Sequence, residues 1–228
     1  MTASSPELIA CTPSAVDPAG FNSAGVLPHG LTTGAIGSAM TDFLDFLGFI
    51  NNRLHLAQIP RLESIMMSAN FSSLVGEFMN TRIPQHCSSI VKNKYHNGHP
   101  DLVPAGVFPG DAVQHSTNGV EIKASRYGRG WQGHNAEDIW LMVFVYESNR
   151  VKDGPLNPIP FQFLSVFGAQ LLKSDWLFAG RSATSRRTIT ASVTPAGFAK
   201  MSANWIYKIP GAPPIVSPPQ TSPSVGPR

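Results

Sequence analysis

The chain has 228 residues, 42% of them hydrophobic, and carries 17 Lys and Arg against 14 Asp and Glu, a formal net charge of +3. That length buries the core of one substantial domain, and so mild a positive balance permits a nucleic-acid partner without arguing for one. Two cysteines, Cys11 and Cys87, are too few for a secreted disulfide scaffold. No basic and apolar leader opens the chain, and no stretch approaches the roughly 18 apolar residues of a membrane span, so a soluble, cytoplasmic protein with no membrane association is expected.

Residues 1–30 are rich in Ser, Ala, Pro and Gly and lack periodicity, which predicts an irregular, flexible N-terminal arm. Residues 209–228 are proline-rich and cannot sustain a helix or a central strand, which predicts an extended tail. One domain, 31–208, lies between them. Thr32 or Thr33 is placed to cap a helix running to Leu56, with Ile36, Met40, Phe43, Leu44, Leu47 and Ile50 at helical spacing. A second helix is expected over 62–80, with Pro84 marking its exit. Residues 98–118 are punctuated by Gly and Pro and read as short extended pieces joined by turns. Residues 119–125 alternate as a half-buried strand does. DIWLMVFVYE, 138–147, is continuously apolar, as a strand covered on both faces would be. A glycine-rich link joins these two strands. Residues 161–172 are read as a further helix and 188–193 as a strand. The pattern predicts an α/β fold, a mixed central β-sheet flanked by helices.

Chemistry concentrates in the middle. Pro100-Asp101 is followed by Glu121-Ile122-Lys123 on the alternating strand. Two residues apart, Glu121 and Lys123 leave the same strand face, while Val120, Ile122 and Ala124 point the other way into a core. One strand can thus carry a metal ligand and a fixed cation while anchoring itself by burial. Asp111 is a rival for Asp101, but after Pro109-Gly110 it is more simply a turn residue.

This pattern resembles the signature of the PD-(D/E)XK nuclease superfamily, which includes many type II restriction endonucleases; the resemblance covers about residues 63–147. It implies a restriction-endonuclease-like core and Mg²⁺-dependent hydrolysis of double-stranded DNA. Asp101 and Glu121 would bind Mg²⁺, with the Ile122 carbonyl as a further oxygen. Lys123 would sit at the scissile phosphate, orienting or deprotonating the attacking water and offsetting charge. Glu77, on the preceding helix, would complete a second metal position. Gln132 matches a polar position that many members place near the site, and His134 and Asn135 would contact phosphate or water. A homodimer matching a palindromic site is also implied by the family.

For DNA contact, Arg126 and Arg129 cluster with Lys123. Arg181, Arg186 and Arg187 lie in the hydroxyl-rich segment RSATSRRT, which suits gripping phosphates or reading guanine edges. Lys200, Asn204 and Lys208 extend this group, making about 174–208 the recognition portion. Trp131, within the glycine-rich link, is left open as a stacking platform. The other readings are a structure-specific repair or recombination nuclease and a non-catalytic DNA-binding protein of the same fold. A zinc site from His86, Cys87, His96 and His99 would follow no regular ligand spacing.

Overall fold

The computed structural model describes residues 5–154, 157–178 and 190–211. Its helices are α1 (Pro6–Ala10), α2 (Thr33–Leu56), α3 (Leu62–Ile65), α4 (Ser68–His86) and α5 (Pro195–Ala203). Its strands are β1 (Ile90–Lys92), β2 (Leu102–Pro104), β3 (Val120–Ser125), β4 (Gln132–Gly133), β5 (Ile139–Glu147), β6 (Gln162–Leu171), β7 (Trp176–Phe178), β8 (Ala191–Val193) and β9 (Trp205–Lys208). Six form one sheet in the order β1-β2-β3-β5-β6-β9, and β4, β8 and β7 form a smaller one. In the large sheet β3 and β5 run parallel and the other neighbours antiparallel. This is the expected α/β architecture, a mixed sheet flanked by helices.

Helix α2 begins where Thr32 caps it, the hydroxyl oxygen accepting from the Ala35 amide at 3.1 Å. Its buried stripe of Ile36, Met40, Phe43, Leu44 and Leu47 packs with Phe71, Val75, Met79 and Ile83 of α4. Together they cover Val120 and Ile122 of β3 and Trp140, Met142, Phe144 and Tyr146 of β5. Leu141, Val143 and Val145 leave β5 on the other side and meet Trp131, Phe167, Trp176, Val193 and Met201 of α5. A strand buried on both faces has no reason to alternate, which is why DIWLMVFVYE reads as one apolar run.

Three expectations are corrected. The helix expected over 62–80 is two helices, because Met66 and Met67 turn extended between α3 and α4. Helix α4 continues through Pro84 to His86: with only its last turn remaining, the fixed φ of proline suits the helix and little hydrogen bonding is lost. In place of the helix expected over 161–172 there is a strand, β6 (Gln162–Leu171), which pairs with β5 from Ile139↔Leu171 to Glu147↔Gln162. Its apolar residues fall on both faces, so the two-residue period is hidden. Gly168 is needed there because a Cβ would lie 2.1 Å from the Trp140 ring.

The largely irregular segment from residue 5 to 30 docks on this domain. Arg61 is buried at 1% exposure and bonds to Glu7, Glu63, Asn149 and the carbonyls of Ala10 and Ile159. Further along, the Ser14 amide donates to the Phe161 carbonyl at 2.8 Å, and Phe21 meets the Tyr207 ring. No described helix is long and apolar enough to cross a membrane.

Two features position the site. Strands β2 and β3 pair only at Leu102↔Val120 and then diverge, leaving the β2-facing edge of β3 open beyond Val120. Gly119 permits the close start, since a Cβ there would lie 2.2 Å from the Leu102 carbonyl oxygen. Second, the β3–β5 crossover carries no helix; it buries Trp131 and pairs β4 with β8 beside the opened edge.

Candidate active site

The opening between β2, β3 and α4 is a cleft of about 510 Å³. Glu121, Ile122 and Lys123 line it from β3, Asp101 from the residue just before β2, Glu77 and Asn80 from α4, and His99 and His134 from loops. Gly76 faces open space there, with nothing within 4 Å of where a Cβ would be.

Asp101 does work that a strand would otherwise do. Its Oδ2 accepts from the Ile122 amide at 2.8 Å, satisfying the N–H left by the divergence of β2. In a strand the N–H and C=O of one residue point toward the same neighbour, so the Ile122 carbonyl faces this edge too. Glu121 forms an ion pair with the Lys123 ammonium through Oε1, and its Oε2 lies 3.0 Å from His99 Nδ1. The other nitrogen of His99 lies against the Glu137 carboxylate.

This grouping separates the two acids. Burial pushes the Asp101 carboxyl up to about 7, the neighbouring Glu121 charge adds to it, and Lys123 and the Ile122 amide only partly offset it. Burial would raise Glu121 as well, but the His99 hydrogen bond and the Lys123 charge bring it down to about 2. Burial would lower Lys123, yet Glu121 and Asp101 hold it above its ordinary value, so it stays a cation. Burial likewise opposes charge on His99, and the bond to Glu121 overcomes that and raises its pKa.

The donor set fits a hard divalent cation. Two carboxylates and a backbone carbonyl supply oxygen ligands on one side, and the cleft has room for the waters that Mg²⁺ keeps. Although both Glu121 oxygens already have partners, each carries a further lone pair. Asp101, Glu121, Ile122 and Lys123 are therefore brought together as the sequence pattern implied. Glu77 reaches only the rim: its side chain is 64% exposed and pairs with Lys92 at 2.9 Å.

Other expected residues separate from this group. Gln132 is exposed on β4 and faces Ser192 at 3.5 Å, away from the cleft lining, because β4 belongs to the small sheet. Arg126 turns inward: its guanidinium donates to Ser148 Oγ at 2.6 Å and to the carbonyls of Ser148 and Asn149, and it lies over the Tyr146 ring. With those donors engaged, Arg126 holds the end of β5 rather than presenting itself to DNA. Arg129 is exposed on the following turn, His134 is exposed at the rim, and Asn135 lines a small hollow beside it. Trp131 is core, packed on Phe167 and Phe198 with its Nε1 donating to the Tyr127 carbonyl. Lys200 pairs with Asp175 at 2.6 Å, Asn204 bonds to Val26 and Gly168, and Lys208 lies over the Trp205 and Phe167 rings. These three support the fold. Arg181, Arg186 and Arg187 lie outside the described residues, but the chain on either side of them does not. Phe178 and Ala191 are register partners, and Ala191 also pairs with Gly133, next to His134 at the cleft rim.

His86, Cys87, His96 and His99 do not converge: His86 bonds to Asp42, Cys87 to Ser89, and His96 is exposed. The sequence pattern passed over Glu137 and His115, which join His99. The one signal for them was their position, each polar and beside an extended segment. No protein-family model matches this chain, and no curated protein matches it in sequence.

Proposed function

We propose that the cleft is the active site of a Mg²⁺-dependent endonuclease acting on double-stranded DNA, most simply of the restriction type. The observation that carries this reading is the convergence of Asp101, Glu121 and Lys123 at the opened edge of β3. A bound Mg²⁺ would be held by the Asp101 and Glu121 carboxylates and the Ile122 carbonyl, and would supply Lewis acidity and an activated water. Lys123, held as a cation beside Glu121, offsets charge on the phosphate; a group with a raised pKa is poorly suited to deprotonating water. His99 fixes Glu121 and keeps it ionised. Glu77 orients water at the rim. Arg181, Arg186 and Arg187 are assigned to the phosphates flanking the cut; the described residues on either side of them in the chain, Phe178 and Ala191, pair with one another, and Ala191 pairs with Gly133 next to the rim. Two copies related by a two-fold axis would present two such clefts to a palindromic site.

The test is incubation of the full chain with supercoiled plasmid and Mg²⁺. Discrete fragments are expected. Uniform nicking would point to shape-based recognition by the same site, and the absence of any cleavage would overturn the reading.

A further inference from the structure

Beside the Mg²⁺ group lies a second one of different chemistry. The ligand-capable atoms of His99, His115 and Glu137 all lie within 4.8 Å of one another. The His99 and His115 rings stack at 5.4 Å between centroids, with 17° between planes. His99 Nε2 is buried, and its partner is the Glu137 carboxylate, which lies directly against it. We infer that His99, His115 and Glu137 form a binding site for a transition-metal ion, Zn²⁺ in the first place, distinct from the Mg²⁺ ligands.

The ligand types select the ion. Two imidazole nitrogens and one carboxylate suit Zn²⁺ and its first-row neighbours, whereas Mg²⁺ prefers oxygen throughout. Three protein ligands leave one tetrahedral position for water or a phosphate oxygen, and a hollow of about 30 Å³ adjoins His99 and Glu137. The shell behind the ligands is already in place. The Nδ1 of His99 is held by Glu121 at 3.0 Å, which leaves Nε2 to face the other two ligands, as in a carboxylate–histidine–metal arrangement.

The three backbones are also fixed. His99 and His115 sit on adjacent segments joined by a bridge: the His99 amide donates to the Gln114 carbonyl at 3.0 Å, and the Ser116 amide to the His99 carbonyl at 2.9 Å. Buried Asn93 staples the same segments, donating to the Pro100 and Val113 carbonyls. The Glu137 carbonyl accepts from Trp176 Nε1 at 2.9 Å. A tetrahedral ion at about 2.0–2.1 Å from its ligands sets them about 3.3 Å apart, so the side-chain ends need only a local adjustment, His99 and Glu137 opening slightly from their present contact to admit the ion. This inference concerns the metal alone and stands whether or not the cleft cuts DNA.

The experiment uses the untagged full chain, freed of metal with a chelator and titrated with Zn²⁺ alone at pH 7.5 by calorimetry. Co²⁺ absorption serves as a second readout of tetrahedral coordination. One ion per chain is expected, with tetrahedral Co²⁺ bands. His115→Ala and Glu137→Gln should each weaken Zn²⁺ binding at least tenfold and abolish the bands. His115 is exposed, so its variant should fold as the parent does, as circular dichroism will show. Asp101→Asn and His86→Ala should retain the ion. Absence of micromolar Zn²⁺ binding, or His115→Ala binding like the parent, overturns the inference, as does loss of the ion in Asp101→Asn.

Discussion

Asp101→Asn should make the protein more stable at alkaline pH while removing its response to Mg²⁺. The folded structure raises Asp101 from 3.8 to about 7, so the native state binds that proton more tightly than the unfolded chain does. The resulting stability is full below the ordinary carboxyl pKa and is lost as pH rises through about 7. At about 1.4 kcal/mol per unit, ionising Asp101 in place costs on the order of 2–4 kcal/mol at pH 8. An asparagine carries no charge, and its amide oxygen can still accept from the Ile122 amide. The variant should therefore melt roughly 5–10 °C above the parent at pH 8, by a clearly smaller margin at pH 5, and the two should converge only as pH falls below the ordinary carboxyl pKa of 3.8. Adding Mg²⁺ at about ten times its dissociation constant should restore about 1.4 kcal/mol to the parent and nothing to the variant. Calorimetry at both pH values, with chelator and with Mg²⁺, reads all of this. A variant less stable than the parent at pH 8, or one that gains equally at pH 5, refutes the reasoning.

Lys123→Ala should lower plasmid cleavage at least about 100-fold, because a fixed cation at the phosphate is lost while His99 still holds Glu121; Gln132→Ala should leave the rate unchanged, and the same assay scores both. Arg126→Ala should cost about 1–3 kcal/mol in urea unfolding, by removing the guanidinium donors of the Ser148 and Asn149 carbonyls, without changing DNA affinity in a gel-shift titration. Arg61→Ala should be the most destabilising of the set, about 3–5 kcal/mol by the same unfolding measurement, because it strands buried Glu63 and frees the N-terminal segment.

How far the sequence could be read depended on whether an element has one face to bury or two. Helix α2 has a single buried stripe, and strand β3 shows two faces through Val120 and Ile122 against Glu121 and Lys123; both were legible. Strand β6 packs both of its faces and so has no visible period. Its one local clue was Gly168, a poor choice within a helix and a necessary one beneath Trp140. The acidic pair and the lysine were legible because a strand repeats every two residues and carries its own spacing. The group of His99, His115 and Glu137 had no such spacing, because its members come from three connecting segments, two joined by backbone bonds and the Asn93 staple and the third held by Trp176. Arg126 misled for the opposite reason. A basic residue next to a nuclease-like pattern suggests DNA, yet its position just after β3 turns it toward the Ser148 and Asn149 carbonyls.

The cleft also explains why Asp101 has two jobs that a careless substitution would confuse. Strand β2 leaves β3 after a single pair, and that departure creates both the space for a metal and an unpaired amide at Ile122. Asp101 answers the amide with one oxygen and leaves the rest of its carboxylate to the cleft. Alanine at this position would remove the proposed metal ligand and also strand the amide, at a cost of about 1–3 kcal/mol. Loss of activity would then follow from either defect. Asparagine keeps the acceptor and removes only the charge, so it separates chemistry from structure where alanine cannot. The same logic applies to Glu121, whose carboxylate holds both Lys123 and His99: Glu121→Gln keeps an acceptor for each while withdrawing the charge that a cation needs.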